Sequence, residues 1–141
     1  MINFVQRNTP KIEEIFVFEA LETNDSFDCY EVFSRDKNIV IKGNSKIAQA
    51  MGYYRYLKEY CNVLITDGNY DISYVKTAPL PDKKISYKVN QKLRLAFSYE
   101  RYAAEIDGWG FDRWEKELDF LAMHGVNCPL ILAGSDGDFT V

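Results

Sequence analysis

The sequence predicts an α/β chain: a small module with a mixed or antiparallel sheet and one main helix, followed by a β-α-β unit. Three observations carry that expectation. Ile39 to Tyr60 (IVIKGNSKIAQAMGYYRYLKEY) reads as a buried strand, a glycine turn and an amphipathic helix. Arg113 to Gly134 (RWEKELDFLAMHGVNCPLILAG) reads as a helix, a glycine stop and a second buried strand. Between them, Pro79-Leu80-Pro81 with Asp82 and two lysines reads as a linker, which divides the chain into residues 1–82 and 83–141.

The elements follow in order. Residues 2–8 form a short helix that stops before Pro10. Glu14 to Leu21 places apolar residues as a strand does, and Asn24, Asp25 and Ser26 turn the chain. Cys29 to Phe33 is a strand, Arg35 to Asn38 a polar hairpin loop, and Ile39 to Ile41 the returning strand. Asn44 or Ser45 can cap the helix that follows. Its stripe is Ile47, Ala50, Met51, Tyr54 and Leu57, and Ala48 and Gly52 are small enough to approach a sheet. Val63 to Thr66 and Tyr70 to Tyr74 read as a hairpin around Asp67-Gly68-Asn69.

Beyond the linker, Leu93 to Phe97 is a strand and Tyr99 to Gly110 a loop with Arg101, Glu105, Asp107 and Trp109. Phe111 to His124 is a helix with an inward stripe of Phe111, Trp114, Leu118, Leu121 and Ala122, and a polar face of Glu115, Lys116 and Asp119. Gly125 stops it. Val126 to Leu132 is apolar enough to be covered on both faces, as in a parallel sheet.

Composition excludes several classes. Hydrophobic residues at 47% and charged residues at 27% describe a chain that folds. A net charge of −4 offers no basic patch for nucleic acid, and no apolar run reaches the ~20 residues that span a bilayer. The first residues lack the basic-then-apolar order of a signal peptide. Cys29, Cys61 and Cys128 are too widely spaced for a metal-binding CxxC pair and read as buried free thiols. Aromatics at 15% suit a strand-rich core first and a sugar-stacking surface second. The carboxylates Glu100, Glu105, Asp107, Asp112 and Glu115 crowd one region, and they read as a solvated surface rather than a catalytic pair. His124, the single histidine, stands at a helix end, where a structural role is expected.

Particular residues resemble a known family. The run Ile39 to Ile41, Gly43, Ser45, Ala48, Gly52 and Tyr56-Leu57-Lys58, with Cys61 after it, is similar to the N-terminal domain of the α-N-acetylglucosaminidase family of glycoside hydrolases. Phe97-Ser98-Tyr99, Arg113-Trp114-Glu115, Leu118-Asp119, Gly125-Val126-Asn127 and Pro129-Leu130 resemble the opening of that family's barrel domain. The resemblance implies a small accessory module packed on a (β/α)₈ barrel, of which this chain holds the first β-α-β. It implies retaining removal of terminal α-linked N-acetylglucosamine by two glutamates on later barrel strands. A barrel needs about 250 residues, and only 56 run from Ser86 to Val141. The expectation is therefore a chain with no catalytic residue of its own.

The resemblance implies no metal and no cofactor. It implies a glycan as substrate through the rest of the barrel, which a separate chain could supply, and neither a nucleic-acid nor a membrane partner. Members are typically secreted, periplasmic or lysosomal. Where the family has Asn-x-Cys on the first barrel strand, this chain has Leu93 and Leu95. Where it has Gly-Gln-Glu after the second, this chain has Gly134-Ser135-Asp136, an acid shorter by one methylene. Candidate sugar-binding residues are Asp136, Ser135 and Trp109. The alternative is a stand-alone carbohydrate-binding or protein-interaction module without catalysis.

Overall fold

A computed structural model describes residues 1–66, 68–97 and 109–130. Helix α1 (Ile2–Asn8) leads through a 3₁₀ turn (Glu13–Ile15) into strand β1 (Phe16–Ala20). Strands β2 (Cys29–Arg35) and β3 (Asn38–Gly43) form the expected hairpin, with Asp36 in the left-handed region at φ 57°. Helix α2 (Lys46–Tyr60) follows, and β4 (Ile85–Lys88) returns to the same sheet. The sheet order is β1-β3-β2-β4. β1 runs parallel to β3 and the other two pairings are antiparallel, so the sheet is mixed.

One face of this sheet, built from Phe16, Tyr30, Val32, Ile39 and Ile41, packs under α2. Gly52 lets helix and strand touch, since a Cβ there would stand 3.0 Å from Ile41 Cγ2. Ser45 is the cap, its hydroxyl accepting from the Ala48 amide at 2.9 Å. The buried surface of α2 is wider than one stripe. Tyr53 and Tyr56 join Ala48, Ala50, Tyr54 and Leu57 because, besides the sheet, Phe4 and Thr9 cover Tyr53 and later chain covers Tyr54 and Tyr56. The tyrosines are core residues: Phe16 meets Tyr53 at 5.2 Å and Tyr56 at 5.4 Å, edge to face.

The hairpin expected around Asp67-Gly68-Asn69 reduces to one bridge, Thr66 with Asn69. Among the described residues its flanks are not strands. Ile65 has given both backbone groups to the Tyr54 hydroxyl, which accepts from the Ile65 amide at 2.9 Å and donates to its carbonyl at 3.2 Å. A ladder partner has nothing left to bond there.

The segment read as a linker is fastened down. Tyr56 donates to the Pro79 carbonyl at 2.8 Å, Ser34 to the Pro81 carbonyl at 3.0 Å, and Tyr60 to Asp82 at 2.7 Å. Because β4 pairs with β2, the first sheet takes in residues beyond position 82.

The second unit is short. Strand β5 (Leu95–Ala96) lies parallel to β6 (Cys128–Pro129), with helix α3 (Phe111–Met123) between them in sequence: one β-α-β unit. The buried side of α3 matches the expected stripe at Leu121 and departs from it at Phe111 and Leu118. Phe111 is 77% exposed and Leu118 42%, whereas Glu117 is fully buried and Asp119 8% exposed. The helix lies against α2 and the N-terminal residues with its Arg113–Glu117–Phe120–Leu121 side, where charged partners wait. Gly125, at φ +84°, ends the helix against Met51, whose sulfur would lie 3.1 Å from a Cβ at that position. The three cysteines are free, as expected, but half-buried rather than buried.

Candidate functional site

In barrels built from β-α units, chemistry sits at the C-terminal ends of the strands and in the loops that follow them. Here that end is marked by the N-terminus of α3. Two residues before the helix lies Trp109, one of the candidate sugar contacts. Its ring carries the Arg113 guanidinium at 4.0 Å and meets Trp114 edge-on at 4.9 Å. Tyr70 meets the same guanidinium, which lies 4.8 Å from its ring centroid and donates to its hydroxyl at 3.4 Å. The Tyr70 hydroxyl donates to Glu117 at 2.9 Å, and Arg113 reaches the same carboxylate oxygen at 3.2 Å. A cation close to two aromatic rings is attracted by both. At least one face of Trp109 is therefore engaged with protein.

Beside this stack a groove of about 510 Å³ opens between α1, the stretch Tyr70–Ser73 and α3. Its floor is an ion-pair cluster. Arg7 grips Asp119 through two bonds of 2.9 and 3.1 Å and reaches Glu115 at 3.1 Å. Asn8 adds a bond of 2.9 Å to Asp119. The hydrogen bond to Asp119 holds the Arg7 pKa above its usual value. Asp71 is held below the usual carboxylate range by its bonds from Ser73.

At the opposite end of the β-α-β unit, Arg94 pairs with Asp28 and donates to the carbonyls of Gly125 and Gln91. Asp28 in turn accepts from Ser45, the α2 cap. Two polar ties, one at each end of α3, thus join the N-terminal module to the β-α-β unit.

These contacts decide what the acids of α3 can do. Glu115, Glu117 and Asp119 all face a cation, and none stands free opposite a second carboxylate across an open cleft as glycosidic double displacement requires. Among the described residues no group of three metal-ligating side chains forms, and no helix is long and apolar enough to cross a membrane. His124 bonds the Phe120 carbonyl at 2.9 Å and lies against Tyr54 and Phe120, a helix-end packing role.

Ser135 and Asp136 lie outside the described residues, as do Glu100, Arg101, Glu105 and Asp107. The structure therefore describes Trp109 alone among the three candidates. Sequence reasoning missed Tyr70, Arg113 and Glu117. The i, i+4 spacing of Arg113 and Glu117 was legible, but nothing local marks that pair as buried against a tyrosine from another module.

Two family models match the chain in order. The α-N-acetylglucosaminidase N-terminal domain covers residues 1–82, and the α-N-acetylglucosaminidase TIM-barrel domain covers residues 95–140. Human α-N-acetylglucosaminidase is 21% identical over 123 residues, which is 86% of this chain and 17% of the human protein. A family 89 glycoside hydrolase from Clostridium perfringens, bound to 2-acetamido-1,2-dideoxynojirimycin, superposes with a TM-score of 0.83 at 29% identity, over 91% of this chain and 15% of that one. A form of the Clostridium enzyme with two glutamate-to-glutamine changes, in complex with its substrate GlcNAc-α-1,4-galactose, superposes with a TM-score of 0.82 at the same identity and coverage. The chain spans about a sixth of the length of these relatives. On these matches, the chain belongs to the α-N-acetylglucosaminidase family of glycoside hydrolases.

Proposed function

We propose that this chain is the N-terminal portion of an enzyme that removes terminal α-linked N-acetylglucosamine from glycans with retention, and that the two catalytic glutamates lie outside its 141 residues. In this reading, residues up to about the end of β4 are the accessory module and the rest opens the barrel. Ser135, Asp136 and Trp109 are the residues nearest the sugar. The observation that carries it is the pair of family matches, module then barrel, on a chain whose β5-α3-β6 forms one parallel β-α-β unit. The Clostridium complex supports it further, since that protein holds GlcNAc-α-1,4-galactose when two of its glutamates are glutamines.

The described acids support inertness of the chain by itself. Glu115, Glu117 and Asp119 are each tied to arginine, and none faces a second carboxylate across an open cleft. The unpartnered apolar residues Leu95, Phe97, Phe111, Leu118 and Leu130 fit a surface meant for further barrel strands and helices.

The test is incubation with an aryl α-N-acetylglucosaminide. The 141-residue chain gives no turnover. The product of the reading frame continued past Val141 gives turnover, and NMR shows the α-anomer released first. Turnover by the 141-residue chain that disappears in Glu115→Gln would place the chemistry here and sink the proposal. Without such a continuation, binding of N-acetylglucosamine-containing glycans without hydrolysis would favour the stand-alone binding module.

A further inference from the structure

We propose that Tyr70, a residue of the N-terminal module, is a positioning residue for Trp109: acting through Arg113, it sets the orientation of that indole at the catalytic end of the first β-α unit. The inference rests on the reading of Trp109 as a sugar-facing residue, and it assigns to the accessory module a part in shaping the site.

Local backbone does not fix the Trp109 ring. Gly110 separates it from α3, serves as the N-cap without a side-chain bond, and has no atom within 4 Å of where a Cβ would stand. The ring is held from the side instead, by the Arg113 plane at 4.0 Å and the Trp114 edge at 4.9 Å. Arg113 could not do this alone, because a guanidinium on a helix surface samples many rotamers. Two contacts remove that freedom. Glu117, one turn on and fully buried, holds one end of the guanidinium at 3.2 Å. The Tyr70 ring lies 4.8 Å from the guanidinium, its hydroxyl accepts from Arg113 at 3.4 Å and donates to the same Glu117 oxygen at 2.9 Å, closing a three-membered ring of contacts. Tyr70 is itself seated edge-on against Phe120 at 5.1 Å. Planarity is essential to the arrangement, since only a flat cation lies on a ring while its edge donates to other groups.

The test uses the whole chain, whose only two tryptophans are Trp109 and Trp114. At their separation the two indoles form an excitonically coupled pair, read as a couplet in the far-ultraviolet circular dichroism spectrum. Tyr70→Ala is expected to lose the couplet and shift the emission to the red, with the helix signal kept. Tyr70→Phe, which keeps the stacking face, is expected to retain both. Arg113→Lys, which keeps the charge and loses the plane, is expected to lose the couplet.

A purely structural role would lower the melting temperature in all three variants and leave the couplet in place. A couplet unchanged in Tyr70→Ala overturns the proposal. Should α3 melt in that variant, Tyr70→Leu keeps the packing on Phe120 without a π face and decides in the same way. A parallel titration with GlcNAc-α-1,4-galactose, followed by tryptophan emission, separates the two readings. Loss of the couplet upholds the positioning role whether or not the sugar is felt, and a silent titration counts against the sugar-facing reading alone.

Discussion

In residues 1–90 the buried side chains that meet are mostly apolar. Phe16, Val32, Ile39, Ile41, Tyr53, Tyr56 and Leu57 are buried in a single cluster between the sheet and α2. In residues 91–130 the contact with the rest of the molecule is mixed: Met123, Phe120 and Ala122 join the apolar cluster, and beside them Arg94 meets Asp28, Asp119 meets Arg7, and Glu117 meets Arg113 and Tyr70. Six other large apolar side chains of that stretch, Leu93, Leu95, Phe97, Phe111, Leu118 and Leu130, face solvent. The N-terminal module is thus held by burial of area, which is non-directional and tolerant of small shifts. The β-α-β unit shares that cluster through one side of α3 and adds directional bonds that fix its orientation. A unit docked in this way keeps its apolar side available.

The largest effect is expected inside the module. Ile41→Ala opens a cavity beneath Gly52 and between β1 and β2, where no solvent reaches the native side chain. It should cost about 3 kcal/mol. Urea unfolding followed by tyrosine and by tryptophan signals should show both regions losing stability together, because α3 has its seat on the module. A loss seen by tyrosine and not by tryptophan would mean that the β-α-β unit stands without the module.

Alkali separates the regions next. Burial pushes the Tyr30 phenol up to about 12, and it raises Tyr53 and Tyr56 as well. The folded state favours the protonated phenols. Their stabilisation is therefore complete below the unfolded tyrosine value, about 10, and is lost as pH rises through the folded values. The described residues of 91–130 contain no tyrosine. Thermal melts should show the midpoint falling above pH about 10, with less of a fall in Tyr30→Phe. A midpoint flat to pH 12 would mean that these phenols are not sealed by the core.

Much of this division was legible in the residues, and the exceptions have a common cause. Helix α2 announced itself through Ser45, Gly52 and the spacing of Ala50, Tyr54 and Leu57, and the β2–β3 hairpin through its polar turn. These are local signals. The hydrogen bonds of Pro79-Leu80-Pro81 were not legible, because a proline-rich run looks the same whether or not its carbonyls find donors, and Tyr56 and Ser34 supply them from elsewhere. The stripe of α3 was read on the side bearing Phe111 and Leu118. Periodicity locates an apolar face but not what covers it, and here the N-terminal module took the side with Glu117, Phe120 and Leu121. Trp109 stood out as an aromatic near a helix start; Tyr70 did not, because only the fold brings it there.

The ties themselves come third. Arg7→Ala leaves Asp119, 8% exposed, with Asn8 as its remaining partner. Loss of a charged bond to a largely buried carboxylate should cost about 1–2 kcal/mol. The cost should be local. Hydrogen exchange at the α3 amides from Trp114 to Met123 should quicken, while exchange in β2 and β3 stays at the native rate. Equal acceleration in both regions would show that the ion pair supports the whole fold rather than the docking of one helix.

The smallest effect sharpens the comparison most. Phe111→Ala removes the largest exposed apolar side chain of α3, and in most helices an aromatic residue in the first turn is a packing residue. Here 77% of Phe111 is exposed, so little area returns to water on truncation. The expected change is within about 0.5 kcal/mol in the 141-residue chain, measured by the urea midpoint. The same substitution in a polypeptide that carries the rest of a barrel should cost about 3 kcal/mol, on the proposal that further barrel elements bury the ring. The difference between those two numbers measures what the barrel adds to this helix. A large loss in the short chain would mean that α3 already buries this face by itself, for instance against a second molecule, and that its apolar side is not waiting for further strands.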